Sequence, residues 1–306
     1  VLPATFTTTV DKKTMKAKRT KPLLTSNASI TTTMIDNGSS DNCDIDTITL
    51  DITTFNCSNV GNNTVILTVT DVKGNSNSNT AIVTVEDNIV PTVIAQDITI
   101  TLDSSGQAVI TSSMINNGSF DNCSIASYSL DKTSFNCTNV GANTVVLTVT
   151  DANGNVSTAT AVVTVQDNIA PTIIAPATIN QGTDAGVCGA TVNLGTPVTA
   201  DNCSVASVTN NAPSLFPVGT TTVTWTVTDA NGNTAIATQT VVITDTEKPT
   251  IIAPGAIGVV NDAGLCTAVV SLGTPVTGDN CGVASVTNNA PAVFPVGTTI
   301  VTWSVT

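Results

Sequence analysis

The residues of this chain that could do chemistry are carboxylates set at fixed steps and cysteines that come in pairs. Asp71, Asp151 and Asp229 each open a short polar segment (DVKGN, DANGN, DANGN), and Asp87, Asp167 and Asp245 lie just before Pro91, Pro171 and Pro249. The Asp of an Asp-Asn-Cys triplet recurs too, at Asp41, Asp121, Asp201 and Asp279. Calcium takes several oxygen ligands from carboxylates and carbonyls, so these aspartates are its candidate ligands. The same residues also cap their own backbone in Asx turns, which requires no ion. Both readings stay open on the sequence, and Lys73 in the first turn and Lys248 in the last linker count against a uniform metal site. No other cofactor is required.

The eight cysteines are Cys43, Cys57, Cys123, Cys137, Cys188, Cys203, Cys266 and Cys281. No Cys-x-x-Cys occurs and the chain has no histidine, so zinc ligation is a poor fit. The spacing predicts four disulfides, one inside each repeat: Cys43–Cys57, Cys123–Cys137, Cys188–Cys203 and Cys266–Cys281. Closing a loop of about 15 residues is worth roughly 3 kcal/mol in the chain-entropy model. Disulfides place the protein in an oxidising, extracellular setting. Catalysis needs a nucleophile, a base and an orienting group within reach, or a metal. With no His, paired Cys and carboxylates scattered over repeated turns, no catalytic site is expected and the chain does not read as an enzyme.

The elements that must position these residues recur with the same step. The segment VGANTVVLTVTDANGNVSTATAVVTVQDNIAP (Val140–Pro171) returns at Val60–Pro91 and Val218–Pro249, and opens a fourth time at Val296. The Asp-Asn-Cys triplets fall 80, 80 and 78 residues apart. Val145, Leu147 and Val149 alternate with polar positions, then Ala161, Val163 and Val165 do the same, the period of half-buried strands. Between them Asp151–Asn155 supplies turn residues that tolerate positive φ. Such a hairpin needs a second sheet over its apolar face. The fold class expected is therefore all-β: tandem immunoglobulin-like β-sandwich repeats of about 80 residues in a rod-like array.

The repeats span residues 11–88, 89–168, 169–248 and 249–306, the last ending before its final strand. Residues 1–10 resemble a final strand, belonging to a preceding unit or donated to another copy by β-augmentation. Linkers such as Val85–Pro91 hold no Gly or Ser run and carry a proline, so they are short and stiff. A repeat one strand long adds roughly 35 Å.

Charge and composition exclude further classes. Net charge is −13, yet six of the nine basic residues sit at Lys12, Lys13, Lys16, Lys18, Arg19 and Lys21. That run is a solvated edge or a patch for anionic polysaccharide or a neighbouring acidic repeat. The acidic remainder argues against nucleic acid. No apolar run is long enough to span a bilayer. The partners expected are neighbouring repeats, copies of the same protein, or a surface polysaccharide or substratum. Trp225 and Trp303 take the place of Leu67 and Leu147 on the inward face, as core plugs rather than sugar platforms.

Residues 201–208 (DNCSVASV), Cys188 upstream and FPVGTTTVTWTVTDANGN at Phe216–Asn233 together resemble the hyalin repeat, an immunoglobulin-like module. Repeats one and two, with MIxNGSxDNC and FNCxNVG, are similar to related modules of very large surface proteins of gliding Bacteroidetes. The resemblance implies a cell-surface, type IX-secreted adhesin or filament: a stalk without catalytic activity that holds a binding tip away from the cell and serves adhesion and gliding. The alternatives are a donor-strand-polymerised filament subunit and a calcium-dependent ligand-binding module.

Overall fold

The computed structural model describes the backbone of residues 7–11 and all of residues 27–306. The basic run at 12–21 lies outside the described residues. In repeat two, where alternation is most regular, Gly141–Asp151 and Val156–Gln166 form an antiparallel hairpin with Val145 opposite Ala161 and Val149 opposite Ser157. Because side chains alternate across a strand, one face collects Val145, Leu147, Val149, Ala161, Val163 and Val165, all buried. The reversal uses Gly154 at φ +91°, a conformation that a Cβ makes costly. Ile125–Leu130 pairs antiparallel with the first hairpin strand, and Ile98–Thr101 runs parallel to the second.

Repeats one and three build the same four-stranded sheet around Gly61–Asp71 with Ser76–Glu86 and Gly219–Asp229 with Thr234–Thr244. The cover is thinner. It is a two-stranded ladder: Ala28–Ser29 with Thr54–Phe55, Gln107–Val109 with Ser134–Asn136, and Gly189–Ala190 with Phe216–Pro217. From it Phe55, Phe135 and Phe216 are fully buried in the sandwich. Phe55 shares a core with Val65, Val83 and Val85, and Phe216 with Val223, Trp225, Val241 and Ile243. The architecture is all-β, with sandwiches in tandem. Its small exceptions are the helical turns Thr32–Ile35 and Ser112–Ile115, which bury Ile35 and Ile115. The chain divides into two compact units, Val1–Asp167 and Asn168–Thr306.

Trp225 is a core residue, 6% exposed. Its indole N–H needs an acceptor once buried. Gln239, 1% exposed, provides it at 3.1 Å and donates through Nε2 to the carbonyls of Ala177 and Leu194, each at 3.0 Å. The pair replaces Leu147 and Ala161 of repeat two, so two polar groups enter the core together and satisfy each other. Gln239→Ala strands the indole and two carbonyls and is expected to cost about 2–4 kcal/mol. The double variant Trp225→Leu with Gln239→Ala recovers part of that loss. Urea unfolding of the four chains of this double-mutant cycle measures the coupling.

Two parts of the chain depart from the regular repeat. Thr7–Asp11 pairs antiparallel with Ile82–Glu86, on the edge where repeats two and three carry a parallel strand. The sequence placed this stretch in a preceding unit or in another copy; here it extends repeat one's own sheet. The physical reason is that an open sheet edge accepts any extended segment in reach. In repeat four, Trp303–Val305 pairs with Val286–Asn288, and no strand takes its other edge among the described residues. Phe294, Val301 and Trp303 line an open groove of about 500 Å³.

The disulfides differ from those expected. Cys57 bridges Cys123 and Cys188 bridges Cys281, with Cα atoms 5.3 and 4.6 Å apart. Cys137 and Cys203 are also disulfide-bonded, whereas Cys43 and Cys266 are free and exposed. The predicted pairs Cys43–Cys57, Cys123–Cys137, Cys188–Cys203 and Cys266–Cys281 are thus corrected: bridges join one repeat to the next. The cause, in repeats one and two, is the strand between the members of the predicted pair. Cys43 precedes Ile45–Leu50 and Cys57 follows it. Six extended residues span about 20 Å, far beyond the roughly 7 Å limit for bridging Cα atoms. The two cysteines therefore stand at opposite ends of a repeat, and Cys57 stands at the end that meets repeat two. Cys188 obeys the same rule, because it adjoins Gly189–Ala190, the ladder partner of Phe216–Pro217, as Cys137 follows Ser134–Asn136 in the equivalent ladder.

Candidate functional site

The joint between repeats one and two is built from three local devices. The first is the hairpin turn. Asp151 is 1% exposed, and its carboxylate accepts from Asn153 N at 2.9 Å, Asn155 N at 2.7 Å and Asn155 Nδ2 at 2.7 Å. This is the Asx-turn chemistry open to the sequence, and Asp229 repeats it with Asn231 and Asn233. Burial pushes the Asp229 carboxyl up, but the bonds from the Asn233 side chain and backbone, Asn231 and Gly232 outweigh it and hold the pKa below 3.8. The partly exposed Asp71 is held below that value by the Asn75 side chain and backbone. A depressed carboxylate contributes stability above its unfolded value and loses it as pH falls through the folded one, so both turns weaken only in strong acid.

The second device is the Asp-Asn-Cys turn, in which Cys123 N donates to Asp121 Oδ2 at 2.9 Å. The third is the capped one-turn 3₁₀ helix Cys57–Asn59, where Asn56 accepts from Ser58 N at 2.9 Å and Asn59 accepts from Asn56 N at 2.9 Å. This explains the FNCxNVG motif: two asparagines fix the backbone that presents Cys57 to Cys123.

Asp87, which ends repeat one, is 6% exposed, and the turns of repeat two enclose it. Asn153 Nδ2 donates to Asp87 Oδ2 at 2.8 Å, Asn122 Nδ2 to Oδ1 at 3.3 Å, and Asn155 Nδ2 to the Asp87 carbonyl at 3.0 Å. One oxygen each from Asp87, Asp121 and Asp151 lies within 4.8 Å of the others. Asp121 Oδ1 is buried and has no hydrogen-bond partner. Burial raises the Asp121 pKa above 3.8, against the bond from Cys123, and the charges of Asp87 and Asp151 raise it further. Three carboxylates turned on one another, with one oxygen orphaned, form an all-oxygen donor set that suits a hard divalent cation.

Of the candidate ligands at the hairpin turns and linkers, Asp87 and Asp151 are brought together, and Asp121, from the recurring triplet, is the third member. Asp167, in the linker, and Asp229, in its hairpin turn, are both buried and repeat the same sequence positions. Asp71 and Asp245 enter no such group among the described residues. The turn that reaches Asp87 belongs to the following repeat, which spacing inside one repeat could not reveal. No helix of the described residues is long and apolar enough to cross a membrane.

Part of the chain matches a known family. Residues 166–243 match the HYR domain family. Hyalin of Strongylocentrotus purpuratus is 31% identical over 287 residues, covering 80% of this chain and 22% of that protein. Hyalin of Lytechinus variegatus is 35% identical over 173 residues, covering 53% of this chain and 33% of its own length. The chain thus spans about a fifth to a third of these curated relatives. Among solved structures, extracellular cadherin domains 1–4 of protocadherin gamma B7 align with TM-score 0.32 and 12% identity over 78% of this chain and 75% of that one. Drosophila N-cadherin EC1-4 aligns with TM-score 0.33 and 12% identity over 60% and 58%. Sandwich, triplet and FPVGTT segment lead to one family, and this chain carries a hyalin-repeat module of the HYR domain family.

Proposed function

We propose that this chain is a structural segment of an extracellular adhesion protein, a stalk whose repeats are locked in series and which holds a binding tip away from its anchoring surface. The observation that carries the reading is the joint at Asp87, where a disulfide and a buried carboxylate cluster meet between two repeats. Passive load-bearing asks for no reactive pocket, and it gains from joints that resist bending and slipping. The matched relatives come from sea urchins, so gliding and type IX secretion rest on the sequence resemblance alone. Neighbouring repeats are the partners this architecture uses directly.

In this reading Asp87, Asp121 and Asp151 hold calcium. An ion there supplies the counter-charge that relieves their mutual repulsion. Three carboxylates provide about half of the six to eight oxygens that calcium takes, leaving backbone carbonyls and water for the rest. Thermal melting of the oxidised chain in millimolar calcium, against the same chain in chelator, tests it. The expected result is a calcium-dependent rise of several degrees, much reduced in Asp121→Asn, which removes one charge. At a hundredfold excess of ion over Kd, linkage alone contributes about 2.7 kcal/mol. Identical melting with ion and with chelator removes calcium from the proposal and leaves the bridges to carry the load.

A further inference from the structure

We propose that the cation site and the disulfide of the joint between repeats one and two are coupled: calcium on Asp87, Asp121 and Asp151 protects the Cys57–Cys123 bridge from reduction, and the closed bridge tightens the hold on calcium. The inference rests on the reading that these three carboxylates hold calcium, and it adds a redox control to that site.

One turn serves both devices. Asp121 and Cys123 are the first and third residues of the same triplet, and Cys123 N donates to Asp121 Oδ2 at 2.9 Å. The other oxygen of Asp121 is the buried one that has no hydrogen-bond partner. The residue between them touches the cluster and the bridge together. Asn122 Nδ2 donates to Asp87 Oδ1 at 3.3 Å and lies 3.3 Å from Cys123 Sγ, while the Asn122 carbonyl lies 3.6 Å from Cys57 Sγ. Repeat one meets this turn at two separate places. Asp87 directly follows the strand Ser76–Glu86, and Cys57 opens the capped 3₁₀ turn Cys57–Asn59. Bridge and carboxylates therefore fasten the same turn of repeat two to two points of repeat one. A movement of the turn that parts the sulfurs also parts Asp121 from Asp87.

With the bridge closed, one oxygen each from Asp87, Asp121 and Asp151 is held within 4.8 Å of the others. Without a cation, like charges at that range push against the closed joint. A divalent cation reverses the sign of that contribution. Once the bridge opens, the turn relaxes, and part of calcium's binding free energy goes into bringing Asp121 back to Asp87. Whatever factor the closed bridge adds to calcium affinity, calcium adds to the equilibrium in favour of the closed bridge, because coupling is reciprocal. A factor of about ten is expected, which for a two-electron couple makes the midpoint potential of the bridge about 30 mV more negative.

The Cys188–Cys281 bridge supplies an internal reference. Its triplet makes the same backbone bond, Cys281 N to Asp279 Oδ2 at 2.9 Å. Asp279 nevertheless belongs to no group of three carboxylates among the described residues, so this bridge has no such cluster to couple to.

Reduction is thiol–disulfide exchange with a small dithiol as reductant. One thiolate of the dithiol attacks a sulfur of the Cys57–Cys123 bridge, forming a mixed disulfide and releasing the other cysteine as thiolate. The second thiol of the reductant, as its thiolate, then attacks the mixed disulfide and releases the remaining cysteine. The dithiol is oxidised to one disulfide, the bridge is reduced to two thiols, and the two protons of the dithiol pass to the released thiolates.

The test equilibrates the whole chain in dithiothreitol redox buffers at fixed pH, with millimolar calcium or with chelator. Free thiols are alkylated and assigned to each cysteine by mass spectrometry, and melting is followed on the same samples. In calcium the Cys57–Cys123 midpoint is expected to fall by about 30 mV, a tenfold gain for the closed form, while the Cys188–Cys281 midpoint stays in place. Asp121→Asn is expected to lose most of the shift. Melting that rises with calcium beside an unmoved Cys57–Cys123 midpoint overturns the coupling and leaves the calcium reading standing. Equal shifts at both bridges overturn it too, because calcium would then act on the chain at large. Melting and midpoint that both ignore calcium remove the ion and the coupling together.

Discussion

Stretched between its two ends, the oxidised chain is expected to extend far less than the reduced one. The Cys57–Cys123 bridge withholds a loop of 66 residues, about 220 Å of contour, and Cys188–Cys281 withholds 93 residues, about 320 Å. Bridges closed inside each repeat would withhold loops of only about 14 residues, roughly 50 Å each. Single-molecule force spectroscopy with and without reductant therefore separates the two connectivities by hundreds of ångströms. Cys57→Ser alone releases the 66-residue loop, and in the chain-entropy model removes about 4 kcal/mol of stabilisation. If reduction adds only steps near 50 Å, inter-repeat bridging is wrong. The mechanical logic is that a sandwich which opens under load stays tethered to its neighbour and closes again.

Asp151→Ala is expected to be the most damaging single change at the repeat-two turn. The carboxylate accepts three hydrogen bonds from Asn153 and Asn155 while almost wholly buried. Alanine leaves those donors unsatisfied where water does not reach them, a loss of about 3–4 kcal/mol. Asp151→Asn keeps one acceptor oxygen for the backbone N–H groups but turns an amide toward Asn155 Nδ2, so about half of that loss is expected. Asp71→Ala removes the same bonds from a turn open to water and is expected to cost clearly less. Urea unfolding in chelator isolates this turn effect from any ion. Equal losses for Asp151→Ala and Asp71→Ala would show that burial does not set the cost.

Much of the fold could be read directly. Val145, Leu147 and Val149 against Ala161, Val163 and Val165 gave the hairpin and its buried face, because strand periodicity is a local property. Asp151 and Gly154 marked the turn for the same reason, since both act on backbone within four residues of themselves. Trp225 was legible as core from its inward position. Its dependence on Gln239 was not, although glutamine in the place of Ala161, on an apolar face, was the signal available.

What the sequence by itself determined is therefore everything set by neighbours along the chain: strands, turns, the repeat and its inward face. The tertiary structure alone decided which cysteines meet and which carboxylates share a joint. Cys43 and Cys57 are close in sequence, but an extended strand carries them to opposite ends of a repeat, and it is the Cys57 end that meets repeat two. Asp87 and Asp151 belong to different repeats and come together because the hairpin turn of one projects onto the exit of the other. A strand converts closeness along the chain into distance in space, and stacking repeats turns that distance back into contact.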